Sequence, residues 1–385
     1  MFKNNVVKGI VAISAIAILL AALLAVPSLT ASSAPKGQDG SSQDTLLSLP
    51  VGLTALQAQA AVDYWTPARM AAAIPMPLIA LDKNTVAPLQ QGSTANPVTG
   101  PAGMVNGNKP GTIAPTTVIL SSPTSSIEPL LVAYYSYPFP YARSSIPGAV
   151  SSTYPWQTIG KVFFSRGGYN YVCSGTSTVS TTGRLVMTAG HCLNAGGYNG
   201  TRGAWSYNVV FCPAWYSGAQ KGCWGTLNLW TFTGWADYGN WRRDVGAIVT
   251  ADTPYVGGRM QTVIGSQGFA WNWGPQNGGS PQLWWEMGYP AAAPFNGQQM
   301  ITCQSSLAQT DAPNAQAGPD TNGVGCDMTP GCSGGGWIYG FRLGTYGYVN
   351  GHNDYYYIGY EQALFSPYYD TSVYNLWNAA QQDYP

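Results

Sequence analysis

A serine flanked by glycines is the first candidate for chemistry in this sequence. Residues 331–337 read GCSGGGW, and a glycine-rich turn can present a serine hydroxyl with backbone N–H groups beside it. When such a hydroxyl attacks a carbonyl, the carbonyl oxygen gains negative charge, and N–H donors from Gly331 and Ser333 would stabilise it by about 3 to 4 kcal/mol per donor. A turn of this composition is also common in all-β proteins that have no such site. The interpretation of Ser333 as a nucleophile therefore requires partner residues.

The partners of a serine nucleophile are a histidine base and a carboxylate that orients the histidine. The sequence contains two histidines. One of them, His191, lies near the end of the apolar run LVMTAGHC at 185–192, which predicts a strand followed by a tight turn. Asp244 opens a second apolar run, DVGAIV. We therefore predict that Ser333 is the nucleophile, that His191 is the general base, and that Asp244 orients His191.

The three motifs together resemble the trypsin-like serine peptidases, which have the chymotrypsin fold. TAGHC, DVGAIV and GCSGG occur in the order His, Asp, Ser, and CDMT at 326–329 is similar to the glutamyl-endopeptidase-like, or V8-like, bacterial branch. The likeness covers about residues 155–380. It implies hydrolysis of protein or peptide substrates through an acyl-enzyme, with Gly331 and Ser333 forming the oxyanion hole. No cofactor and no metal are expected.

The predicted elements suit an all-β fold. From residue 159 the sequence has short apolar strands separated by Gly, Asn or Ser clusters. Together with the resemblance, they predict two antiparallel β-barrels, at about 158–252 and about 260–366. The base and its acid would belong to the first barrel and the nucleophile to the second, so that the site lies in the cleft between them.

The C-terminal sequence has a different period. Four apolar residues fall on one face at helical spacing: Val373, Leu376, Trp377 and Ala380. They predict a helix over about 371–382, with Thr371 as its N-cap.

Three residues are candidates for recognising the substrate side chain, and they favour opposite charges. Asp327 lies six residues before Ser333, at the count where trypsin has its pocket-bottom acid, and an acid there would select arginine or lysine. His352 lies near the pocket wall implied by the resemblance, and with the hydroxyl of Thr329 it would select glutamate or aspartate. The branch resemblance favours acidic residues, although the histidine of that branch is expected nearer Val349. Structural roles for Asp327 and His352 are the alternatives.

Seven cysteines lie between residues 173 and 332, without the paired spacing of a zinc site. In an exported protein they are expected to form disulfides. We predict three pairs, the last of them from the resemblance: Cys173–Cys192, which would fix the base, Cys212–Cys223 across a glycine-rich turn, and Cys303–Cys326. Cys332 is left over. It is predicted to be a small buried thiol, with a redox-sensitive thiol or a different pairing as the alternatives.

The N-terminus has the layout of an export signal. Lys3 and Lys8 precede an uncharged apolar run over 9–26, which small residues follow. We therefore predict a signal peptide over 1–34. An uncleaved membrane anchor is the alternative, because the run is close to the minimum length of a membrane span.

The region between the signal and the peptidase shows little periodicity that would build a core. We predict a largely irregular propeptide or linker over 35–148, within which 91–128 reads as linker or disorder, and a peptidase domain over 149–385. The element YWTPARM at 64–70 resembles propeptides of the bacterial branch. Processing is predicted between Tyr141 and Thr153, where Arg143–Ser145 offers an exposed cut site. A stalk with a surface-binding turn is the alternative interpretation.

Composition limits the classes of partner. Only 8% of residues are charged and the formal net charge is zero, so no surface for nucleic acid is indicated. We expect a secreted monomer that touches a membrane only if its N-terminal segment is uncleaved. A catalytically inactive relative of the same fold, or an aromatic-rich extracellular binding protein, is the alternative function.

Overall fold

The computed structural model describes residues 42–81, 100–121, 139–253, 258–274, 283–313 and 316–384. All of them belong to one unit of the chain, Ala31–Pro385. The predicted signal peptide at 1–34 lies outside the described residues. Among the residues that are described, no helix is long and apolar enough to cross a membrane.

Short strands make up most of the described chain. The strands are β1 (Leu46–Ser48), β2 (Ile74–Pro75), β3 (Ile79–Leu81), β4 (Gly103–Val105), β5 (Val118–Ile119), β6 (Ala142–Ser145), β7 (Ile159–Arg166), β8 (Tyr169–Ser177), β9 (Leu185–Ala189), β10 (Tyr207–Pro213), β11 (Trp224–Phe232), β12 (Val245–Thr250), β13 (Gly268–Trp271), β14 (Leu283–Gly288), β15 (Ile301–Ser306), β16 (Gln309–Asp311), β17 (Thr321–Gly325), β18 (Gly336–Tyr339), β19 (Tyr348–His352), β20 (Tyr355–Tyr357) and β21 (Ala363–Ser366). The α-helices are α1 (Ala55–Tyr64), α2 (Pro67–Ala71), α3 (Gly148–Ser151), α4 (Gly190–Leu193), α5 (Thr233–Tyr238), α6 (Met260–Ile264) and α7 (Thr371–Ala380), and single 3-10 turns cover Ser42–Asp44, Trp156–Thr158 and Trp241–Arg243.

Six strands close into a barrel in the order β10, β7, β8, β9, β12 and β11, with β11 returning to β10. The barrel strands are buried on both faces. In β7, for example, Val162 and Phe164 belong to one apolar cluster and Phe163 belongs to another. The end of β9 and the start of β12 pair directly, with Ala189 opposite Val245. His191 lies two residues after Ala189, and Asp244 directly precedes Val245. The pairing of the two strands therefore brings these residues side by side.

The strands after the barrel, together with β3 to β6 of the N-terminal region, form two sheets. One has the order β5, β4, β13, β19, β18, β14, β15, β6, and the other has the order β16, β17, β21, β20, β3. Trp284 and Cys303 of the first sheet share an apolar cluster with Val324 and Leu364 of the second. A common core thus joins the two sheets into the second half of the fold. The architecture agrees with the predicted all-β class.

The C-terminal helix α7 packs with the face that its sequence pattern predicts, since all four apolar residues of that face are buried. Trp377 stacks on Phe269 at a ring-centroid distance of 5.0 Å. The predicted N-cap was wrong by one residue: Asp370 Oδ1 accepts the backbone N–H of Val373 at 3.0 Å. Thr371 is the first helical residue instead.

The described part of the N-terminal region has more order than its sequence suggests. Its short strands extend existing sheets, with β1 on β11, β2 on β8, β3 on β20 and β4 on β13. The indole of Trp65 is 4% exposed and lies 5.3 Å from the ring of Phe163. These residues, including Gly103–Val105 in the predicted linker, are thus more ordered than a linker. They bury their apolar side chains against the later strands rather than against one another.

Three disulfides cross-link the fold, and they join the pairs proposed from the sequence: Cys173–Cys192, Cys212–Cys223 and Cys303–Cys326. Cys332 is a free, buried cysteine. Burial raises the pKa of its thiol well above the ordinary value, so the thiol stays protonated. The predicted processing site, Arg143–Ser145, forms most of β6 and pairs with β15.

Candidate active site

His191 and Asp244 meet where the barrel brings β9 and β12 together. His191 lies in α4, directly after β9, and the Cys173–Cys192 disulfide ties this helix to β8. The backbone N–H of His191 donates to Asp244 Oδ1 at 2.6 Å, and Nδ1 lies 2.8 Å from Asp244 Oδ2. Because a carboxylate can only accept, Nδ1 carries the proton in this contact. Nε2 is then the nitrogen that remains for a substrate or a nucleophile.

The loop that carries Ser333 packs against the same end of β9. Gly331 and Gly334 have φ of 99° and 78°, a conformation that favours glycine. A Cβ on Gly334 would lie only 2.0 Å from Thr188 Oγ1, so only glycine allows this approach. The backbone N–H of Ser174 donates to the carbonyl of Ser333 at 2.8 Å. The serine loop is therefore fixed to β8 and β9, the two barrel strands that precede His191.

The reactive atoms of the site are buried. Ser333 is 0% and His191 is 1% exposed, and among the described residues neither Ser333 Oγ nor His191 Nε2 has a hydrogen-bond partner. Burial by itself lowers the pKa of His191, but the charge and hydrogen bond of Asp244, with a contribution from Asp354, raise it to about 9. In this buried state the imidazole is charged at neutral pH and does not act as a base.

A third acidic residue at the site, Asp354, was missed by the sequence analysis. It is 0% exposed, and its Oδ1 lies 3.3 Å from His191 Nδ1. The side-chain nitrogen of His191 and carboxyl oxygens of Asp244 and Asp354 all lie within 4.8 Å of one another. The signal in the sequence was an acidic residue directly before the aromatic run YYY at 355–357. That signal has no characteristic spacing from the other site residues.

Comparison with known proteins identifies the family. No family model and no curated protein matches the chain. The chain is similar to the crystal structure of protease Anisep from Arthrobacter nicotinovorans, with 35% identity, a TM-score of 0.52, and coverage of 60% of this chain and 99% of that one. It is also similar to a thermostable serine protease, AL20, from an extremophilic microorganism, with 32% identity, a TM-score of 0.51, and coverage of 62% and 100%. The chain belongs to the serine proteases of chymotrypsin-like fold. The predicted fold class is thereby confirmed, whereas the V8-like branch stays a prediction.

His352 of the protease lies behind the His191–Asp244 pair. It is 1% exposed, with Nε2 3.0 Å from the backbone carbonyl of Asp244 and Nδ1 3.1 Å from the hydroxyl of Tyr369. Burial lowers the pKa of His352 to about 4, with the charge of His191 acting in the same direction against that of Asp244. A neutral ring with both nitrogens engaged does not suit the predicted recognition of a substrate carboxylate.

The other two predicted pocket residues are also engaged within the protein. Asp327 forms an ion pair with Arg143 of β6. The hydroxyl of Thr329 donates to the carbonyl of Ala292 at 2.6 Å. The sequence could not indicate the Arg143–Asp327 pair, because Arg143 comes from a segment far upstream of the serine loop.

A segment of the N-terminal region, residues 74–81, lies across the site of the protease. It pairs in parallel with β8 through Ile74–Pro75 and with β20 through Ile79–Leu81. Between these strands, the backbone N–H of Met76 donates to Val172 O at 2.9 Å, and the carbonyl of Met76 accepts the N–H of Gly331 at 3.1 Å. Gly331 N–H is the donor predicted for the oxyanion hole. In this structure that donor is occupied by the protein's own carbonyl.

Side chains of the same segment pack on both halves of the protease. Met76 packs against the apolar cluster that contains Cys192, the neighbour of His191. Leu78 is 4% exposed and belongs to the cluster that contains Met328 and Cys332, next to the serine. The segment thus bridges the cluster next to His191 and the cluster next to Ser333.

Proposed function

We propose that the chain is the precursor of a secreted serine endopeptidase with a Ser333–His191–Asp244 triad. The observation that carries the proposal is the 2.8 Å contact between His191 Nδ1 and Asp244 Oδ2, which leaves Nε2 without a partner. A glycine-flanked serine on the adjoining loop supplies the hydroxyl that such a base requires. Similarity to two solved serine proteases supports the same activity.

In the proposed reaction, Ser333 Oγ attacks the carbonyl carbon of a peptide bond while its proton passes to His191 Nε2. The N–H groups of Gly331 and Ser333 hold the resulting oxyanion. The C–N bond then breaks, and the proton on Nε2 moves to the leaving amine, which yields an acyl-enzyme on Ser333. Water attacks the acyl carbonyl by the reverse sequence of proton transfers and releases the acid. Asp244 keeps the proton on Nδ1 throughout and stabilises the imidazolium.

We further propose that residues 35–148 are a propeptide and that segment 74–81 keeps the precursor inactive. The support is steric and chemical: the Met76 carbonyl occupies the Gly331 donor, and both His191 and Ser333 are buried in the uncleaved chain. Removal of the propeptide would expose the donor and return Nε2 to solvent.

Cleavage after acidic residues stays a prediction that now depends on the branch resemblance alone. The engaged positions of His352 and Asp327 supply no free charge for either an acidic or a basic side chain. Secretion likewise stays a prediction, supported by the signal-type N-terminus and the three disulfides. Incubation of the processed protein with a peptide library, and sequencing of the products, would determine the preferred residue.

Labelling with a fluorophosphonate tests the proposed nucleophile. The processed wild type should be labelled on Ser333, and Ser333→Ala should abolish labelling. His191→Ala should lower kcat by about 10⁶, since the members of a triad act as a unit. The exposed Ser306, at the end of β15, provides a matched control, and Ser306→Ala should be labelled like the wild type. Turnover by purified Ser333→Ala, or a processed wild type that is not labelled, would refute the mechanism.

A further inference from the structure

Asp354 is a second carboxyl group buried against the His191–Asp244 pair. It follows β19, and its backbone N–H donates to Phe365 O at 3.0 Å, which fixes the main chain at this point. Its Oδ1 lies 3.3 Å from His191 Nδ1. Among the described residues, neither side-chain oxygen of Asp354 meets the geometry of a hydrogen bond. A fully buried carboxyl without a donor is unusual and calls for a chemical explanation.

Two buried carboxyl groups beside one imidazole cannot both carry a negative charge without a large cost. Asp244 is the anion of the pair, because it accepts both the backbone N–H and Nδ1–H of His191. Asp354 has no comparable donors aimed at it. Burial, and after it the charge of Asp244, raise the pKa of Asp354 well above its ordinary value. Asp354 therefore favours its protonated form.

A protonated carboxyl group is a hydrogen-bond donor, and the anionic acceptor beside Asp354 is Asp244, with carboxyl oxygens of the two residues within 4.8 Å of each other. We propose that Asp354 is a positioning residue of the protease. As a neutral acid it donates its O–H to the Asp244 carboxylate and so keeps that carboxylate oriented towards His191. This inference rests on the proposed triad. When Asp354 loses its proton, the donor disappears and a second negative charge lies beside Asp244. The base should then lose its orientation, which gives activity an alkaline limit of its own.

Other ionisable groups that face Asp354 and its two partners do not titrate near neutral pH. His352, on β19, has its pKa lowered by burial to about 4. Tyr369 has its pKa raised by burial. Arg166, on β7, donates from Nη2 to the carbonyl of His191 at 2.7 Å, and burial lowers its pKa only to about 10. Of the ionisable groups at the site, His191 has its pKa raised to about 9, and the raised pKa of Asp354 moves the loss of its proton to higher pH.

The test compares pH profiles of kcat/KM for processed variants, with the concentration of active sites fixed by fluorophosphonate titration. Asp354→Asn keeps N–H donors but cannot ionise, so it should stay within about threefold of the wild type at neutral pH and should lose the alkaline limb. Asp354→Leu has no donor, and its kcat should fall about ten- to a hundredfold with KM little changed. The hydroxyl of Asp354→Ser also donates without ionising. If Asp354→Asn does not fold, Asp354→Ser takes its place in the comparison of pH profiles.

Glu286 provides the matched control. It is another carboxyl with 0% exposure whose pKa burial raises, and it lies on β14 with Ser305 Oγ as its donor at 2.9 Å. Glu286→Gln should keep the alkaline limb of the wild type.

Three results would overturn the inference while leaving the triad intact: a wild type without an alkaline limb, an Asp354→Asn variant that keeps it, or an Asp354→Leu variant as fast as Asp354→Asn. A processed wild type that neither labels nor turns over would refute the proposed function, and this inference with it.

Discussion

Replacing Leu78 by alanine in the full-length protein tests whether segment 74–81 closes the site. Leu78 is 4% exposed and packs in the apolar cluster beside the serine loop. Truncating a buried leucine to alanine costs about 2 to 5 kcal/mol, and the lower end applies here because the segment can shift as a whole. A loss of about 2 kcal/mol from the closed state raises the open fraction about thirtyfold. The substitution should therefore accelerate access to Ser333 by about this factor.

The assay is the initial rate at which a fluorophosphonate labels the intact, full-length chain, read from the band of unprocessed size on a gel. When opening and closing are fast compared with labelling, this rate follows the open fraction. Leu56→Ala is the matched control, because Leu56 belongs to the same N-terminal region but is 83% exposed. Its labelling rate should equal that of the wild type. If Leu78→Ala is labelled at the wild-type rate, or if Leu56→Ala is accelerated equally, the segment does not close the site.

Three further predictions concern stability and reactivity. The pKa of His191 is raised from 6.5 to about 9, so its contribution to the unfolding free energy of the uncleaved chain is fully present below pH 6.5 and is lost as the pH rises through 9. Urea unfolding at a series of pH values should show a fall in the unfolding free energy of at most about 3 kcal/mol. An unfolding free energy that does not change with pH would contradict the assignment. Arg243 is 2% exposed and pairs with two aspartates. Arg243→Met should therefore lower the unfolding free energy by about 3 to 5 kcal/mol. Loss of the more exposed Arg202–Asp237 ion pair should cost about 1 kcal/mol or less. Cys332 is buried and protonated, so iodoacetamide should modify it only after unfolding, and modification of the native protein would show that the serine loop opens.

Much of the architecture could be predicted from local sequence patterns. The short apolar runs between glycine and asparagine clusters predict the strands of an all-β fold because strands bury side chains with a short, regular period. The apolar face of α7 could be predicted because its apolar residues recur at helical spacing. Only the position of its N-cap was wrong, by one residue. The serine loop and the apolar runs at His191 and Asp244 could be recognised because each motif is contiguous in the sequence.

Tertiary packing decided the surroundings of those motifs. Asp354 became part of the site because β19 ends beside the histidine, and its protonation follows from burial next to Asp244 rather than from its neighbours in the sequence. His352 was drawn into the core, where burial keeps it neutral. Segment 74–81 contains no recognisable motif. It covers the site because its backbone and side chains contact strands that lie far along the chain. Local patterns specify elements, whereas charge states and covering contacts depend on which distant residues the fold brings together.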